Sequence, residues 1–249
     1  MNTVTGKQAT RAAMFNAIGG WVTQFEIDGV KVGGSVDILP KDPRLLWQLE
    51  QIGGVKNKCV LELGPLEGAH TKMLHDAGAM TIIGVEGLND CFLRCLVVKE
   101  AFDLYNARFY FADFNQYIEN HIAKNFHKFD VVSAAGVLYH QRDPVTLIRN
   151  LSRITDTVLV WSQVASDITP NGPEAWCTQY RGRLNNYHGT RLTSESYCGG
   201  LHDTAFWFYP DEMLRCFRDA GFNYILEKQS PDNINGKSLL FVASKNKFL

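Results

Sequence analysis

Two glutamates and two glycines stand close together in the segment ELGPLEG, which follows a short apolar run. Glu62 precedes Gly64 and Gly68, and glycine leaves the backbone bare where a ligand could contact it. A helix-length segment comes next, and the free N–H groups at a helix N-terminus favour polar and anionic groups. These residue types in this order predict a strand, a tight turn and a helix start that together hold a ligand.

The next three apolar runs also end in residues that could bind a ligand. Glu86 closes the second run, where a carboxylate can accept hydrogen bonds from both hydroxyls of a ribose. Asp113 and Phe114 follow the third run, where they could bind an adenine amino group and cover the adenine ring. The fourth run ends in the segment AAGVLYH, which contains Ala135, Tyr139 and His140. Together the four runs offer the groups that an adenosine needs.

Strands and helices must alternate to bring these residues together. Strand-like runs alternate with helix-length amphipathic stretches; the runs are CVLEL, TIIGVE, ARFYFAD, FDVVSAAG and DTVLVW. This alternation is typical of a parallel sheet with helices on both faces. Two later runs, NYILEKQ and SLLFVASK, predict a hairpin at the C-terminal end. We therefore predict an α/β fold: a seven-stranded, mostly parallel, Rossmann-like sheet with helices on both faces and an antiparallel C-terminal hairpin strand.

Residues 1–58 have a different pattern and predict accessory helices and a hairpin. The hairpin turns at Asp28 and Gly29, a dipeptide that favours a tight turn. A helix follows with Asp42 as N-cap and Pro43 at its first position. We expect residues 59–249 to form the main domain.

A long insertion, at about 162–209, interrupts the main domain. It is too long for a simple connection and too aromatic for a flexible linker, so we interpret it as a lid over an acceptor pocket. Packing of the insertion against its own core, or a subunit contact, remains the alternative for each of its residues. The residues selected as candidates for acceptor binding are Tyr180, Arg181, Tyr187, His188 and Trp207.

Composition excludes some partners for this chain of 249 residues. Lys and Arg total 25 against 26 Asp and Glu, so a formal net charge of -1 provides no global field for nucleic acid. The sequence contains no signal-peptide-like start and no apolar run near the length of a membrane span, so we expect a cytoplasmic protein without a membrane partner. The six cysteines form no CxxC pair, and we predict neither a disulfide framework nor a metal site.

Two adenosine cofactors compete for the glycine-containing segment. A nicotinamide dinucleotide needs G-x-G-x-x-G, but Pro65 and Leu66 break that pattern at its second glycine. S-adenosylmethionine has no phosphate to bind. The order of the motifs over residues 59–245 resembles that of class I S-adenosylmethionine-dependent methyltransferases. Within this class, the segment FDVVSAAGVLYHQRDPVTLIRNL most resembles the wobble-uridine tRNA methyltransferase-like branch.

The resemblance implies a role for each motif. The cofactor-binding residues would be Gly64, Pro65 and Gly68 at the methionine end, Glu62 at its amino group, Glu86 at the ribose, Asp113 and Phe114 at the adenine, and Ala135. Tyr139 and His140 would face the transferred group. The tRNA enzymes of this branch use a carboxylated cofactor, but the segment WVTQFEIDGVKVGG has no counterpart of their upstream lysine, so we expect plain S-adenosylmethionine.

We therefore expect methyl transfer to an oxygen or nitrogen of a small-molecule acceptor. His140 is the candidate base for a hydroxyl acceptor, and its alternative role is packing at the turn before the next helix. A tRNA-modifying methyltransferase is the second hypothesis. A cofactor-binding module without catalysis is the third, because Leu66 stands where many members have glycine.

Overall fold

The computed structural model describes residues 10–165, 178–193, 200–230 and 236–248. Its N-terminal part is a β-hairpin in which β1 (Gln24–Ile27) pairs antiparallel with β2 (Val30–Gly33). Asp28 and Gly29 both have positive φ angles, of 52° and 76°, which confirms the predicted two-residue turn. The flanking helices are α1 (Arg11–Met14), followed by a 3-10 turn at Phe15–Ala17, and α2 (Pro43–Gln51), preceded by a 3-10 turn at Leu39–Lys41.

Helix α2 packs against one face of the main sheet. Asp42 is its N-cap and Pro43 its first residue, as the sequence predicts, and the Asp42 side chain accepts a hydrogen bond from the Arg44 N–H. Buried Gln48 donates from Nε2 to the carbonyl oxygens of Val160 and Phe241, at 2.9 and 3.0 Å. A polar side chain of the N-terminal segment is therefore bonded directly to the central sheet.

Five parallel strands form the centre of the molecule. They are β3 (Cys59–Leu63), β4 (Thr81–Glu86), β5 (Ala107–Phe111), β6 (Val131–Ala135) and β7 (Thr157–Gln163). The helices between them are α3 (Ala69–Asp76), α4 (Asn89–Ala101), α5 (Phe114–Ala123) and α6 (Pro144–Ile154). A 3-10 turn, Leu138–His140, follows β6. Because the strands are parallel, the residues that follow them meet at one edge of the sheet.

The insertion forms a second sheet that the sequence did not predict. It contains three antiparallel strands: β8 (Thr178–Leu184), β9 (Tyr187–Thr193) and β10 (Thr204–Phe208). Phe206 and Phe208 of β10 are fully buried in the same apolar cluster as α6 and the central strands. Part of this segment is therefore core.

The C-terminal elements complete the central sheet as predicted. They are α7 (Pro210–Asp219), β11 (Tyr224–Lys228) and β12 (Ser238–Ser244). Strand β12 pairs antiparallel with both β7 and β11, so the seven strands lie in the order β11-β12-β7-β6-β3-β4-β5. Residues 231–235, in the predicted turn of this hairpin, lie outside the described residues.

Each face of the central sheet carries its own apolar cluster. Successive side chains of a strand point to opposite faces, and Val131 and Val132 accordingly belong to different clusters. Burial on both faces explains why the central strands are continuous apolar runs. No helix in the described part of the chain has both the length and the apolar character needed to cross a membrane.

Candidate active site

The residues that follow the parallel strands line one pocket at the carboxyl edge of the sheet. Those predicted from the sequence that line it are Glu62, Gly64, Pro65, Glu86, Phe114, Ala135, Tyr139 and His140. Strands β3, β4 and β6 provide most of its floor, and the N-terminal segment and the Gly200–Leu201 turn provide further walls. The structure therefore brings together most of the predicted site.

In the loop after β3, Gly64 and Leu66 both have positive φ angles, and the sequence predicts only the glycine in this role. Gly64 has a φ of +58°, and a Cβ atom at this position would lie 2.8 Å from Cγ1 of Val137. Leu66 also adopts a positive φ, of 57°, which costs a leucine on the order of 1 kcal/mol. Its N–H donates to Oε2 of Glu86 at 3.1 Å, which holds the loop in this conformation. Leucine therefore occupies a conformation that favours glycine.

Gly68 has a packing role in this structure. It is the N-cap of α3, with a φ of +78°, and it is not among the described residues that line the pocket. A Cβ atom there would lie 3.4 Å from Cγ1 of Val98 on α4. The glycine therefore allows the loop to approach α4 closely, and its predicted contact with a ligand stays a prediction.

Glu86 is buried and accepts hydrogen bonds from the backbone. Its two carboxylate oxygens accept from the N–H groups of Leu66 and Leu88, at 3.1 and 2.8 Å. Burial raises the pKa of Glu86, and the backbone hydrogen bonds offset that rise only in part. No cationic side chain is bonded to Glu86 among the described residues, so the carboxylate can still accept hydrogen bonds from ligand hydroxyls.

Glu62 and Ser133 lie side by side on paired strands. Burial raises the pKa of Glu62, which accepts a hydrogen bond of 2.5 Å from Oγ1 of Thr71. The Ser133 hydroxyl is buried, lines the pocket and has no hydrogen-bond partner among the described residues. Buried hydroxyl groups are nearly always paired, so an unpartnered one in a pocket indicates a ligand contact.

Asp113 and Phe114 have different positions despite being neighbours. The Asp113 carboxylate caps α5 by accepting from the N–H of Asn115 at 2.7 Å, and it is not among the described lining residues. Phe114 lines the pocket with its ring partly in the apolar core. The structure thus brings the aromatic ring to the pocket and uses the carboxylate in a helix cap.

Tyr139 and His140 form an aromatic wall in the Leu138–His140 turn. Their ring centroids lie 4.1 Å apart, and the Tyr139 ring meets the Trp161 ring edge-on at 6.0 Å. Trp207 supports this wall from behind, because its Nε1 donates to the backbone carbonyl of Tyr139 at 2.8 Å. A Cβ atom on Gly200 would lie 2.9 Å from Cβ of His140, so the Gly200–Leu201 turn packs tightly on the imidazole.

Tyr187, His188 and Trp207, three other candidates for acceptor binding, are not among the described residues that line this pocket. Tyr187 is buried and donates from its hydroxyl to Oδ2 of Asp219 at 2.8 Å, and His188 is exposed. The side chains of Tyr180 and Arg181 lie outside the described part of the structure. Acceptor binding by these residues stays a prediction.

A charged cluster at the pocket was missed by the sequence analysis. Asp42 accepts from Nε of Arg44 at 2.9 Å, from Nη2 of Arg44 at 2.6 Å and from Nε2 of His70 at 2.9 Å. The Arg44 guanidinium also lies 4.2 Å from the centroid of the Trp161 ring. Arg44, His70 and Trp161 all line the pocket. Arg44 directly follows the predicted N-cap and proline, but only the tertiary fold shows that this helix end meets the pocket.

Asp42 remains ionised despite complete burial. Burial alone would raise its pKa, but the hydrogen bonds from His70 and Arg44 outweigh this effect and lower the pKa well below its usual range.

Among the described residues, no group of three His, Cys, Asp or Glu side chains could hold a metal ion. The pocket is lined by carboxylate, hydroxyl and guanidinium groups, which suit an organic ligand that bears hydroxyl and charged groups.

Comparison with known proteins agrees with this geometry. A family model described as a methyltransferase domain matches residues 43–227. The N-terminal domain of EvdMO1, crystallised in the presence of SAH and D-fucose, has 24% identity and a TM-score of 0.70, covering 95% of this chain and 94% of that one. The structure of EvdMO1 itself gives 22% identity and a TM-score of 0.64 over 94% of this chain and 46% of that one, so this chain spans about half of EvdMO1.

A more distant structure shares the same fold. The S-adenosylmethionine-dependent methyltransferase from Mesorhizobium loti has 13% identity and a TM-score of 0.55, covering 82% of this chain and 97% of that one. No curated protein matches the sequence. Because the family model covers well over half of the sequence, the chain belongs to the methyltransferase-domain family and is an S-adenosylmethionine-dependent methyltransferase.

Proposed function

We propose that this chain transfers a methyl group to a hydroxyl oxygen of a small molecule. A sugar is the first acceptor to test, and a small molecule with an acceptor nitrogen is the second. The observation that carries the proposal is that Tyr139 and His140 line the pocket immediately after β6. An aromatic wall with an imidazole suits an acceptor that has a flat apolar face and a hydroxyl group. The structural neighbour crystallised with SAH and D-fucose supports a sugar.

In this proposal the predicted residues bind the cofactor along the edge of the sheet. Glu86 accepts hydrogen bonds from the ribose hydroxyls, and Phe114 covers one face of the adenine. Glu62 and the Ser133 hydroxyl bind the amino group of the methionine part, where Gly64 leaves the backbone bare. The buried, unpartnered Ser133 hydroxyl and the raised pKa of Glu62 support this placement, because both groups gain from a cationic hydrogen-bond donor.

The protein chiefly aligns the reactants. S-adenosylmethionine, when bound, supplies a methyl group on a positively charged sulfur. The pocket walls hold the acceptor oxygen in line with that methyl group, and such alignment can supply on the order of 7 to 11 kcal/mol in favourable cases. Nδ1 or Nε2 of His140 accepts the proton of the acceptor hydroxyl as the oxygen becomes a nucleophile, which adds a factor of about 100 to 10,000.

Thermal-shift titration tests the cofactor, and an acceptor screen tests the reaction. S-adenosylmethionine and SAH should stabilise the protein by about 2.7 kcal/mol at 100-fold excess over Kd, whereas NAD should not. Methyl incorporation into D-fucose and related monosaccharides is then measured. Stabilisation by the first two without methyl transfer to any small hydroxyl or amine would contradict the proposal.

The substitution His140→Ala separates binding from chemistry. We expect turnover to fall by about 100-fold to 10,000-fold while SAH affinity stays unchanged, because the imidazole acts on the acceptor proton. The matched control is His127→Ala, which removes an exposed imidazole and should leave the rate unchanged. An unchanged rate in His140→Ala would leave the base unassigned and remove the main support for a hydroxyl acceptor.

Transfer to tRNA is the second candidate. The segment GVLYH, which carries the resemblance to the wobble-uridine branch, forms the Leu138–His140 turn beside the pocket. Methyl incorporation into bulk tRNA at low salt, with none into small molecules, would favour this function. The near-neutral charge of the chain favours the small-molecule acceptor, because tRNA binding depends on cationic groups.

A further inference from the structure

The N-terminal segment is joined to the loop after β3 by one buried carboxylate. Glu67 follows Leu66 in that loop and is fully buried. It accepts hydrogen bonds from the N–H groups of Val22 and Thr23, at 2.9 and 2.7 Å, and lies 3.6 Å from Nη1 of Arg94. The residues just before the hairpin therefore have a fixed position relative to the pocket.

This contact places the Thr23 side chain in the pocket wall. Thr23 lines the pocket, is fully buried, and its Oγ1 has no hydrogen-bond partner among the described residues. A buried hydroxyl without a partner is unfavourable for folding. An interaction with a ligand would explain why threonine occupies this position.

Arg44 adds a positive charge to the wall of the same pocket. Asp42 engages its Nε and Nη2 atoms, while Nη1 is bonded to none of the described residues. A guanidinium held on one edge by a carboxylate and on one face by Trp161 has few accessible rotamers. It can therefore bind an anion with little further loss of conformational entropy.

The sheet order separates Arg44 from the groups proposed to bind adenosine. Glu86 ends β4 and Phe114 follows β5, on one side of β3. Arg44 contacts Trp161 of β7, on the other side of β3 beyond β6. A ligand with its adenosine near Glu86 and Phe114 extends its other end toward β6 and β7.

We infer that Arg44 and Thr23 bind the α-carboxylate of the methionine part of the cofactor, so that the N-terminal segment is part of the cofactor site. The inference rests on the cofactor placement of the proposed function. Glu62 then faces the ammonium group and Arg44 the carboxylate, so that both charges of the amino-acid end have an opposite charge nearby. The glycine-containing loop alone provides only backbone groups for that carboxylate.

A ligand without the amino-acid end tests this inference. Isothermal titration compares SAH with 5′-methylthioadenosine, which keeps the adenosine and the sulfur but lacks the ammonium and carboxylate groups. The proteins are the unmodified chain, Thr23→Val, Arg44→Met and the control Arg153→Met, which changes an exposed arginine on α6. We expect Arg44→Met to weaken SAH binding by roughly 10-fold to 100-fold and Thr23→Val by roughly 10-fold, with 5′-methylthioadenosine unaffected.

The inference is overturned if a variant weakens both ligands equally, if neither variant weakens SAH binding, or if only the acceptor KM changes. Thr23→Val keeps the test valid even if Arg44→Met disturbs the Asp42 cluster. Because valine replaces an unpartnered buried hydroxyl, we expect this variant to melt at the same temperature or higher.

Selective SAH weakening in a chain that methylates no small acceptor would leave the inference standing and refute the proposed function. Methyl transfer to a small acceptor, with undiminished SAH affinity in both variants, would refute the inference and leave the proposed function standing.

Discussion

Asp42 and Glu86 are two buried carboxylates, Glu86 in the pocket wall and Asp42 bonded to the pocket residues Arg44 and His70, and their pKa values move in opposite directions. Burial raises the pKa of both groups when it acts alone. His70 and Arg44 reverse the effect at Asp42, whereas Glu86 has only backbone N–H donors. The difference lies in the partners, because both side chains are almost completely buried.

The comparison distinguishes a structural carboxylate from one that is available to a ligand. Two oxygens offer about four lone-pair sites. At Asp42 the Arg44 guanidinium, the His70 imidazole and one backbone N–H occupy them, so the group orients Arg44 and His70. Glu86 can accept further hydrogen bonds, and it is bonded to no cationic side chain among the described residues. Glu62 can likewise accept further hydrogen bonds, because its described donor is the Thr71 hydroxyl. Substitutions at these three residues should therefore have different effects.

The largest effect is expected for Glu86→Ala. The substitution removes two charge-assisted hydrogen bonds to the ribose, worth about 1.5 to 3 kcal/mol each at most, so cofactor affinity should fall 10-fold to 1,000-fold. Titration calorimetry with SAH measures it, and Asp90→Ala, which changes an exposed carboxylate at the start of α4, is the control. Unchanged affinity would mean that the Glu86 carboxylate does not bind the cofactor, which would contradict its distinction from the structural carboxylate of Asp42.

A loss of stability is expected for Asp42→Asn. The folded-state pKa is lowered, so ionised Asp42 contributes stability that is fully present above its unfolded value of 3.8 and is lost as the pH falls further. We expect the free energy of unfolding at pH 7 to drop by about 2 to 3 kcal/mol, measured by urea denaturation. Asp76→Asn, which changes an exposed carboxylate paired with Lys72, should cost less than about 0.5 kcal/mol. Equal losses in the two variants would contradict a structural role for Asp42.

The smallest effect, of opposite sign, is expected for Glu62→Gln in the ligand-free protein. The folded-state pKa of Glu62 is raised from 4.5, so its ionisation destabilises the fold as the pH rises above that value. Glutamine avoids the buried charge and should stabilise the ligand-free chain by about 1 kcal/mol at pH 7, with no gain below pH 4.5. Urea curves at several pH values measure this gain. A loss of stability at pH 7 would mean that the Glu62 carboxylate, like that of Asp42, stabilises the fold.

The sequence predicts the central sheet and the residues at its edge well because both depend on local order. Apolar runs mark β3 to β7, and parallel strands must place Glu62, Glu86 and Phe114 at one edge. Asp113 caps α5 because a carboxylate at a helix start can satisfy the nearest N–H groups, and its contact with an adenine amino group stays a prediction.

Two of the missed residues reach the pocket from distant parts of the chain. Thr23 depends on a contact with Glu67, and Arg44 depends on how α2 packs, and no local pattern encodes either. Strand β10 is a different case, since AFWF is a short continuous apolar run, buried at all four positions, and such a run could have predicted a strand.

The hydrogen bonds of Gln48 have a consequence for the choice of expression boundaries. A chain cut before Cys59 would retain all seven strands of the central sheet, and the change in sequence pattern recommends that boundary. The cut would nevertheless remove the amide that bonds to Val160 and Phe241, and it would remove α2 from an apolar face. A truncated protein would expose that face to water and aggregate, so any minimal version of this enzyme has to begin before α2.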